Sequence, residues 1–202
     1  MIGAVSDQAH DWDASYKGEV AAPWDIGRPQ PIFVDLAERG LLTGDLFDAG
    51  CGTGENTLLA AEHGAAALGI DLSSTAIGRA RAKARERGVA ARFEAGDILT
   101  TRLPRQFDVV IDSGLFHVFD DTDRARYVAT LAEMLRTGGV LYLACFSDRQ
   151  PGDWGPRRVT RQELYDAFAT GWSVEQVEPV EFEVNPEVGL TSTYAWLATV
   201  RR

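Results

Sequence analysis

A glycine-rich turn at residues 48–55 constrains the fold more than any other feature of the sequence. The turn is Asp48-Ala-Gly-Cys-Gly-Thr-Gly-Glu55, with the apolar pair Leu46-Phe47 before it and a helical pattern over residues 57–63 after it. A strand, a glycine turn and a helix in this order form the first crossing of a doubly wound α/β sheet, where ligands bind at the carboxyl ends of strands. The glycines allow a sharp turn and a close approach of backbone to ligand.

The spacing of the glycines and the charges beside them indicate the ligand. Gly50, Gly52 and Gly54 are spaced G-x-G-x-G. A dinucleotide fingerprint is G-x-G-x-x-G, and Glu55 occupies the place of its third glycine. We expect Asp48 and Glu55 to repel a pyrophosphate, which prefers a helix N-terminus without anions, and to attract a cation. S-adenosylmethionine carries an ammonium and a sulfonium and fits this turn, whereas a nicotinamide oxidoreductase is the weaker alternative.

The stretch Asp48-Ala-Gly-Cys-Gly-Thr-Gly resembles the first motif of class I S-adenosylmethionine-dependent methyltransferases, and the resemblance extends from about Trp12 to the end of the chain. It implies an α/β fold with a doubly wound, mostly parallel seven-stranded sheet and a C-terminal antiparallel hairpin. The apolar runs predict strands at residues 46–49, 67–71, 91–98 (with its exit), 107–112, 140–146, 172–184 and 191–200. We expect a single domain over residues 1–202, with an N-terminal lid segment at 1–31 and a catalytic core at 32–202.

Acidic residues after the next two strands complete the pattern of an adenosine site. Asp71 ends the second predicted strand, 21 residues after Gly50, where an acid holds a ribose diol. In the methyltransferase pattern, an acid after strand 3 forms a hydrogen bond with the adenine amino group, and the next apolar side chain packs on the ring. Asp97 and Ile98 fit these two positions. The resemblance implies core cofactor contacts from Asp48, Gly50, Gly52, Asp71, Leu72, Asp97, Ile98 and Asp112.

The N-terminal segment carries a second, narrower resemblance. Pro23-Trp-Asp-x-Gly-Arg-x-x-Pro31 is similar to a segment of the thiopurine methyltransferase-like group, which includes plant halide/thiol methyltransferases and bacterial small-molecule methyltransferases. The resemblance implies that Tyr16 and Trp24 cover the methionine end of the cofactor. Aromatic faces attract a sulfonium cation, which explains why aromatic residues would cover this end of the cofactor. The alternative is a helix that packs by its aromatic side chains on the domain edge.

The loop after the fourth predicted strand faces the methyl group in this fold and carries the candidate for proton transfer. His117 is the histidine in that loop, since His10 lies in the N-terminal tail and His63 ends a predicted helix. An imidazole works near neutral pH, and general-base catalysis contributes about 10²–10⁴-fold in rate. The alternatives for His117 are contact with the acceptor without proton transfer, and packing beside Phe116 and Phe119.

Aromatic residues are predicted to bind the acceptor at Trp12, Phe116 and Trp154. Trp154 lies in a Gly/Pro-rich loop over residues 147–159, which follows strand 5 and is interpreted as an acceptor lid, with a simple connector as the alternative. The arginines of this loop either hold an anionic acceptor or are solvated.

These residues favour a methyltransferase that acts on a hydroxyl or ring nitrogen of a small aromatic or heteroaromatic molecule, such as a secondary metabolite or a quinol. The plant enzymes of the similar group imply instead a halide or thiol acceptor, which needs no base. A third hypothesis is a non-catalytic subunit that binds S-adenosylmethionine, and turnover alone separates it from an enzyme.

Composition and the cysteines limit the partners and the compartment. The 202 residues include 20 basic and 30 acidic side chains, for a net charge of −10, and we expect such an acidic surface to repel nucleic acid. No apolar run reaches the length of a membrane span, and the N-terminus lacks the pattern of a signal peptide. In the methyltransferase strand order Cys51 and Cys145 lie on non-adjacent strands, which predicts free thiols, a reducing compartment and no metal site. We expect a cytoplasmic protein that is a monomer or a weak homodimer, with no membrane partner.

Overall fold

The computed structural model describes residues 11–18, 21–104, 106–185, 189–190 and 192–202. Its helices are α1 (Trp12–Ser15), α2 (Pro31–Glu38), α3 (Glu55–Glu62), α4 (Ser74–Arg87), α5 (Asp121–Met134) and α6 (Arg161–Ala167), with a short 3₁₀ turn at Phe116–Val118. Its strands are β1 (Asp45–Ala49), β2 (Ala66–Asp71), β3 (Arg92–Ala95), β4 (Phe107–Ser113), β5 (Leu135–Phe146), β6 (Ser173–Glu183) and β7 (Ser192–Arg201). The predictions made for His10, Pro186 and Thr191 fall outside the described residues.

The strands form one sheet in the order β3-β2-β1-β4-β5-β7-β6. β1 to β5 pair in parallel, and β7 pairs antiparallel with both β5 and β6. The predicted doubly wound, mostly parallel seven-stranded sheet with a C-terminal antiparallel hairpin is therefore confirmed. Strand order changes direction between β1 and β4, so the loops that follow these two strands border the crevice in which doubly wound proteins bind ligands.

Two apolar layers cover the sheet. Successive side chains of a strand point to opposite faces, and in β4 Val110 joins the layer that holds α5 and α6 while Val109 and Ile111 join the layer that holds α2 and α3. Burial on both faces explains why β4 is an apolar run without alternation. The sheet thus fixes the loops at its carboxyl edge on a rigid base.

The fifth strand differs from its prediction at its beginning. It starts at Leu135, directly after α5, and includes Gly138 and Gly139, which were predicted to end a helix ahead of a strand at residue 140. Its pairing with β4 shifts register between Phe107 and Val109, and Gly138 has a φ of +82°. The shift accommodates three extra residues of β5, with Gly138 in a left-handed conformation, and the strand therefore begins earlier than predicted.

β4 lies between the turn that holds Cys51 and the strand that holds Cys145, and both cysteines are free. None of the helices in the described parts of the chain is long and apolar enough to cross a membrane.

Candidate active site

The glycine turn after β1 is held against the neighbouring strand by its own backbone. The N–H groups of Gly50 and Cys51 both donate to the carbonyl of Ile70, over 2.9 and 3.0 Å. Gly50 and Gly52 have φ values of +69° and +53°, a region that side chains with a Cβ rarely enter. A Cβ on Gly52 would lie 3.0 Å from the hydroxyl of Tyr16. The turn therefore needs glycine both for its backbone conformation and because the Tyr16 hydroxyl approaches it closely.

Asp48 is a buried carboxyl group at the end of β1. It is 1% exposed, and its Oδ2 accepts a 2.6 Å hydrogen bond from the Thr57 hydroxyl. Its Oδ1 has no hydrogen-bond partner among the described residues. Burial raises the pKa of Asp48 to about 7, and the charges of Asp112 and Asp71 act in the same direction. A cation that reaches this carboxyl group would meet an acceptor that the protein leaves unused.

Glu55 does not act together with Asp48, which corrects the interpretation of the two acids as a pair. Its carboxylate is 8% exposed and is paired with Lys83 at 2.7 Å and with Arg87 at 2.9 Å. Both partners lie on α4, so Glu55 ties the start of α3 to that helix. Its charge is neutralised there, and the attraction for a cation falls to Asp48.

The predicted adenosine residues lie at the carboxyl ends of two adjacent strands. Asp71 pairs with Ala95 across β2 and β3. Its Oδ2 accepts the N–H of Gly52 and its Oδ1 accepts the N–H of Ser73, both over 2.8 Å. A carboxylate oxygen has two lone pairs, so each retains one for a ribose hydroxyl. Burial raises the pKa of Asp71.

The side chains beside Asp71 have the character that an adenine ring requires. Leu72 is 58% exposed, and Ile98 is 6% exposed in the turn after β3. Asp97 is half-buried, and its Oδ1 accepts the N–H of Leu99 over 2.9 Å. An adenine ring stacked on Leu72 would remove part of its apolar surface from water.

The N-terminal aromatic residues lie over the glycine turn. The indole N–H of Trp24 donates to the hydroxyl of Tyr16 over 2.8 Å, and the rings of Trp12 and Trp24 are 5.6 Å apart. Tyr16 is 5% exposed and Trp24 is 43% exposed. Trp12, predicted to bind the acceptor, is thus placed with Trp24 instead of with the aromatic residues around His117.

The segment is anchored by polar contacts. Asp13 accepts hydrogen bonds from the Ser73 hydroxyl at 2.6 Å and from the Thr75 N–H at 2.9 Å, both at the beginning of α4. The Thr53 hydroxyl of the glycine turn donates to Asp25 over 3.0 Å. The segment therefore packs on the domain edge, while Tyr16 lies close to the glycine turn.

Asp112 shapes the loop after β4, although it was predicted to contact the cofactor. It is fully buried and accepts hydrogen bonds from the N–H groups of Leu115 at 2.7 Å and Phe116 at 3.1 Å, and from the Tyr127 hydroxyl at 2.8 Å. Burial raises its pKa to about 7. These contacts hold the loop that carries His117, and the predicted cofactor contact of Asp112 stays a prediction.

His117 is fixed in one orientation by a backbone group. Its Nδ1 accepts the N–H of Phe146 over 2.9 Å, and the residue is 7% exposed. Burial lowers its pKa to about 3, and the charges of Arg124 and Arg158 lower it further. The ring is therefore neutral, with its proton on Nε2. This hydrogen bond argues against the predicted role of general base, because the one in-plane lone pair of the neutral ring already accepts the N–H of Phe146.

Aromatic side chains from three elements surround His117. Its ring lies 5.0 Å from that of Phe146 and 6.5 Å from that of Phe182, and Phe146 in turn lies 6.0 Å from Trp154. We call His117, Phe146, Trp154 and Phe182 the aromatic cluster. Trp154 was predicted, whereas Phe182 was missed because no local pattern links β6 to a loop far earlier in the chain.

Phe116 lies outside the aromatic cluster, in contrast to its predicted acceptor contact. It is fully buried, stacks on Phe168 with centroids 6.1 Å apart, and has the guanidinium carbon of Arg124 4.4 Å above its ring. Adjacent residues of the 3₁₀ turn therefore point in different directions. Phe116 belongs to the core, and its neighbour His117 belongs to the cluster.

Arg158 organises the loop over residues 147–159. Its guanidinium donates to four backbone carbonyls of this loop, those of Gln150, Gly152, Trp154 and Pro156, over 2.7 to 3.3 Å. It also lies 5.5 Å from the ring of Phe146 and 5.6 Å from that of Trp154. The loop is thus an ordered cover beside the aromatic cluster, held by a charge that was expected to bind the acceptor or to be solvated.

Comparison with known proteins identifies the family. Residues 46–139 match the family described as methyltransferase domain. A 2-heptyl-1-hydroxyquinolin-4(1H)-one methyltransferase from Mycobacteroides abscessus is 34% identical over 184 residues, which cover 86% of this chain and 81% of that protein. The chain belongs to the S-adenosylmethionine-dependent methyltransferases.

Two further relatives support this methyltransferase assignment. A protein from Arabidopsis thaliana described as probable thiol methyltransferase 2 is 28% identical, and the aligned region covers 92% of this chain and 83% of that protein. A solved structure described as "Conversion of a Disulfide Bond into a Thioacetal Group during Echinomycin Biosynthesis" has a TM-score of 0.86 and 38% identity, covering 95% of this chain and 91% of that one. The predicted family, enzyme class and cofactor are confirmed.

The site of this methyltransferase fits S-adenosylmethionine in its chemistry. The unused oxygen of Asp48 suits an ammonium group, and the free lone pairs of Asp71 suit a ribose diol. Glycine at position 52 keeps open the space that a side chain would fill beneath Tyr16. The donor set contains anions and aromatic faces, as a sulfonium ligand requires.

Proposed function

We propose that this methyltransferase transfers a methyl group to a hydroxyl or ring nitrogen of a small aromatic or heteroaromatic molecule. The aromatic cluster carries this proposal, since aromatic side chains from β5 and β6 contact a polar imidazole and a third, from the loop over residues 147–159, packs on the first of them. Aromatic rings pack well against such surfaces, edge-to-face or offset. The hydroxyquinolinone methyltransferase that resembles this chain supports the same class of acceptor.

The chain's residues would hold the two reactants in line. S-adenosylmethionine, when bound, supplies a methyl group on an activated sulfonium. We propose that Asp48 binds the ammonium, that Asp71 binds the ribose, and that Leu72, Asp97 and Ile98 bind the adenine. Tyr16 and Trp24 would exclude water from the methionine end. Alignment of this kind contributes about 7–11 kcal/mol to lowering a barrier, so the protein needs little further chemistry.

The division of the chain and its cellular setting belong to the same proposal. Residues 1–31 act as a lid segment on a catalytic core at residues 32–202, within one domain. The enzyme works in the cytoplasm as a monomer or weak homodimer on a small molecule, without a nucleic-acid partner. The ion pair of Arg28 with Glu183, which joins the N-terminal segment to β6, supports this single-domain arrangement.

Release of S-adenosylhomocysteine with two panels of acceptors tests the proposal. One panel contains phenols, quinols and a 1-hydroxyquinolin-4(1H)-one, and the other contains iodide and small thiols. We expect turnover with the first panel. Turnover with the second panel alone would place this chain with halide or thiol enzymes, and silence with both despite binding of S-adenosylmethionine would favour a non-catalytic subunit.

A substitution in the cluster links turnover to the site. Phe182→Ala should raise the KM of the acceptor by about 10-fold while leaving S-adenosylmethionine affinity unchanged, because a buried aromatic ring contributes roughly 1.5–3 kcal/mol. Tyr165→Ala, at a side chain that is 42% exposed on α6, is the matched control. An unchanged acceptor KM in Phe182→Ala would contradict the placement of the acceptor.

A further inference from the structure

We infer that this methyltransferase takes its acceptor as an anion that has already lost its proton, and that His117 binds this anion through its Nε2–H. The inference rests on the proposed function and narrows it to acidic hydroxyl groups on aromatic or heteroaromatic rings. Such a group is ionised near neutral pH before it enters the site. His117 is then an acceptor-binding residue and takes no proton from the substrate.

The hydrogen bond from Phe146 decides the role of the imidazole. A backbone N–H can only donate, so Nδ1 of His117 must present its lone pair to it. The neutral ring then carries its proton on Nε2, which has no lone pair left to receive another. Protonation of Nδ1 would set two N–H groups against each other and leave the buried N–H of Phe146 without an acceptor. His117 can therefore donate to the acceptor but cannot deprotonate it.

The Nε2–H of His117 is available to a ligand. Among the described residues, no acceptor forms a hydrogen bond with this N–H. A Cβ on Gly114 would lie 3.5 Å from Nε2, which places this atom beside the turn at the carboxyl end of β4. β4 neighbours β1, from which the glycine turn emerges. The donor thus lies at the carboxyl edge of the sheet, next to the strand that leads into the glycine turn.

The charged groups that act on His117 favour an anion. They are Arg124 on α5 and Arg158 in the loop over residues 147–159, and both are positive. Arg124 is 6% exposed; its Nη1 pairs with Glu163 at 3.4 Å and its guanidinium lies over the ring of Phe116, whereas its Nε and Nη2 have no hydrogen-bond partner among the described residues. The carboxyl group of the preceding strand, Asp112, is engaged by backbone N–H groups and Tyr127. Glu163 offsets the charge of Arg124, so Arg158, which lies beside the rings of the aromatic cluster, is the cation that gives an oxyanion near His117 a positive potential.

The reaction balances without a base. The acceptor oxyanion uses one lone pair to form a bond to the methyl carbon, and the bond between sulfur and that carbon breaks with its electrons left on sulfur. The sulfonium becomes a neutral thioether and the oxyanion becomes a neutral ether. No proton is released on the enzyme, since the acceptor left its proton in solvent before binding.

The pH dependence of turnover with two acceptors tests the inference. The probes are a pair of nitrophenols of different acidity, compared at saturating S-adenosylmethionine, with a 1-hydroxyquinolin-4(1H)-one as a third. We expect kcat/KM to rise with pH and to level off at the pKa of each acceptor, so that the midpoint moves with the acceptor. A midpoint that stays fixed for all acceptors would overturn the inference, because it would report an enzyme group. Turnover of none of them rejects the proposed function instead.

Variants and NMR test the role of His117 separately. Glutamine can accept from the Phe146 N–H and donate to a ligand, so His117→Gln should retain kcat/KM within about 10-fold, whereas His117→Leu should lose about 100-fold, chiefly in acceptor KM. His63→Gln, at an exposed histidine after α3, is the control. A base would lose about 10²–10⁴-fold in either variant.

The nitrogen resonances of His117 give a readout that does not depend on turnover. We expect Nε2 to be protonated and Nδ1 to be unprotonated from pH 5 to pH 9 in the wild-type protein. A protonated Nδ1, or a titration near neutral pH, would overturn the inference even if His117→Leu failed to fold.

Discussion

The Thr57 hydroxyl donates to Oδ2 of Asp48 over 2.6 Å and leaves Oδ1 of that carboxyl group without a partner among the described residues. One oxygen of the carboxyl group is thus bonded within the fold, and the other can accept a hydrogen bond from a ligand. A buried polar atom without a partner costs stability, and such costs concentrate where a ligand later supplies the missing partner. We therefore expect the ionisation state of Asp48 to affect both cofactor affinity and folding stability.

Cofactor affinity should depend on the ionisation of Asp48. Its pKa is raised to about 7 by burial, so the carboxyl group is neutral below that pH and charged above it. We expect affinity for S-adenosylmethionine to rise as pH rises through 7, as measured by calorimetry. In Asp48→Asn the affinity should be about 10–100-fold weaker at pH 8, since a hydrogen bond to a charged group contributes about 1.5–3 kcal/mol. Asp35→Asn, at an exposed acid on α2, should behave as wild type.

The stability of the ligand-free protein should show the opposite dependence on pH. Asp48 and Asp112 have pKa values of about 7 in the folded protein against an ordinary value of 3.8. The folded state therefore holds more protons than the unfolded state between these values, and the stabilisation is lost as pH rises through 7. Urea unfolding should find Asp48→Asn about 1–3 kcal/mol more stable than wild type at pH 8 and little different at pH 4. An equal difference at both pH values would contradict this.

The glycine at the start of α3 should be costly to replace for two separable reasons. Gly54 has a φ of +85°, and a Cβ on it would lie 2.7 Å from the ring of Phe93 and 2.8 Å from Ala80. Gly64 has a φ of +94° with nothing within 4 Å of the added atom. Both alanine variants should lose about 1–2 kcal/mol from the left-handed backbone, and Gly54→Ala should lose about 1–3 kcal/mol more from overpacking. Equal losses of unfolding free energy would show that the crowding is relieved.

Removal of the Asp112 carboxyl group should separate loop positioning from cofactor binding. Asp112→Ala takes away the acceptor for the N–H groups of Leu115 and Phe116 and for the Tyr127 hydroxyl. We expect kcat/KM for the acceptor to fall at least 10-fold, because these contacts set the loop that carries His117. The dissociation constant of S-adenosylmethionine should change by less than about 3-fold. A large loss of cofactor affinity would instead support the predicted contact between Asp112 and the cofactor.

The fold and the order of the cofactor residues could be predicted from the sequence because the signals are local. The glycine turn, the apolar runs and the acids that follow them, such as Asp48 and Asp71, each lie within a few residues of the strand that positions them. The alternation of a strand and the conformation of a left-handed turn depend on neighbouring residues. The predicted ends of the strands therefore lie within a few residues of the observed ends, except at the beginning of β5. Its early start depends on a register shift against β4, which no local pattern records.

The roles of individual charges and of the imidazole were decided by the tertiary structure. Glu55 meets its lysine 28 residues later, and His117 meets the N–H of Phe146 29 residues later. Residue type and spacing state what a side chain is able to do. Which of its lone pairs, protons or charges remains free depends on partners brought by other elements, and burial then sets the cost of each protonation state. The sequence by itself predicted that this chain binds and uses S-adenosylmethionine, because the motifs for it are local, whereas the packed structure decided which lone pairs and protons of these side chains are left free.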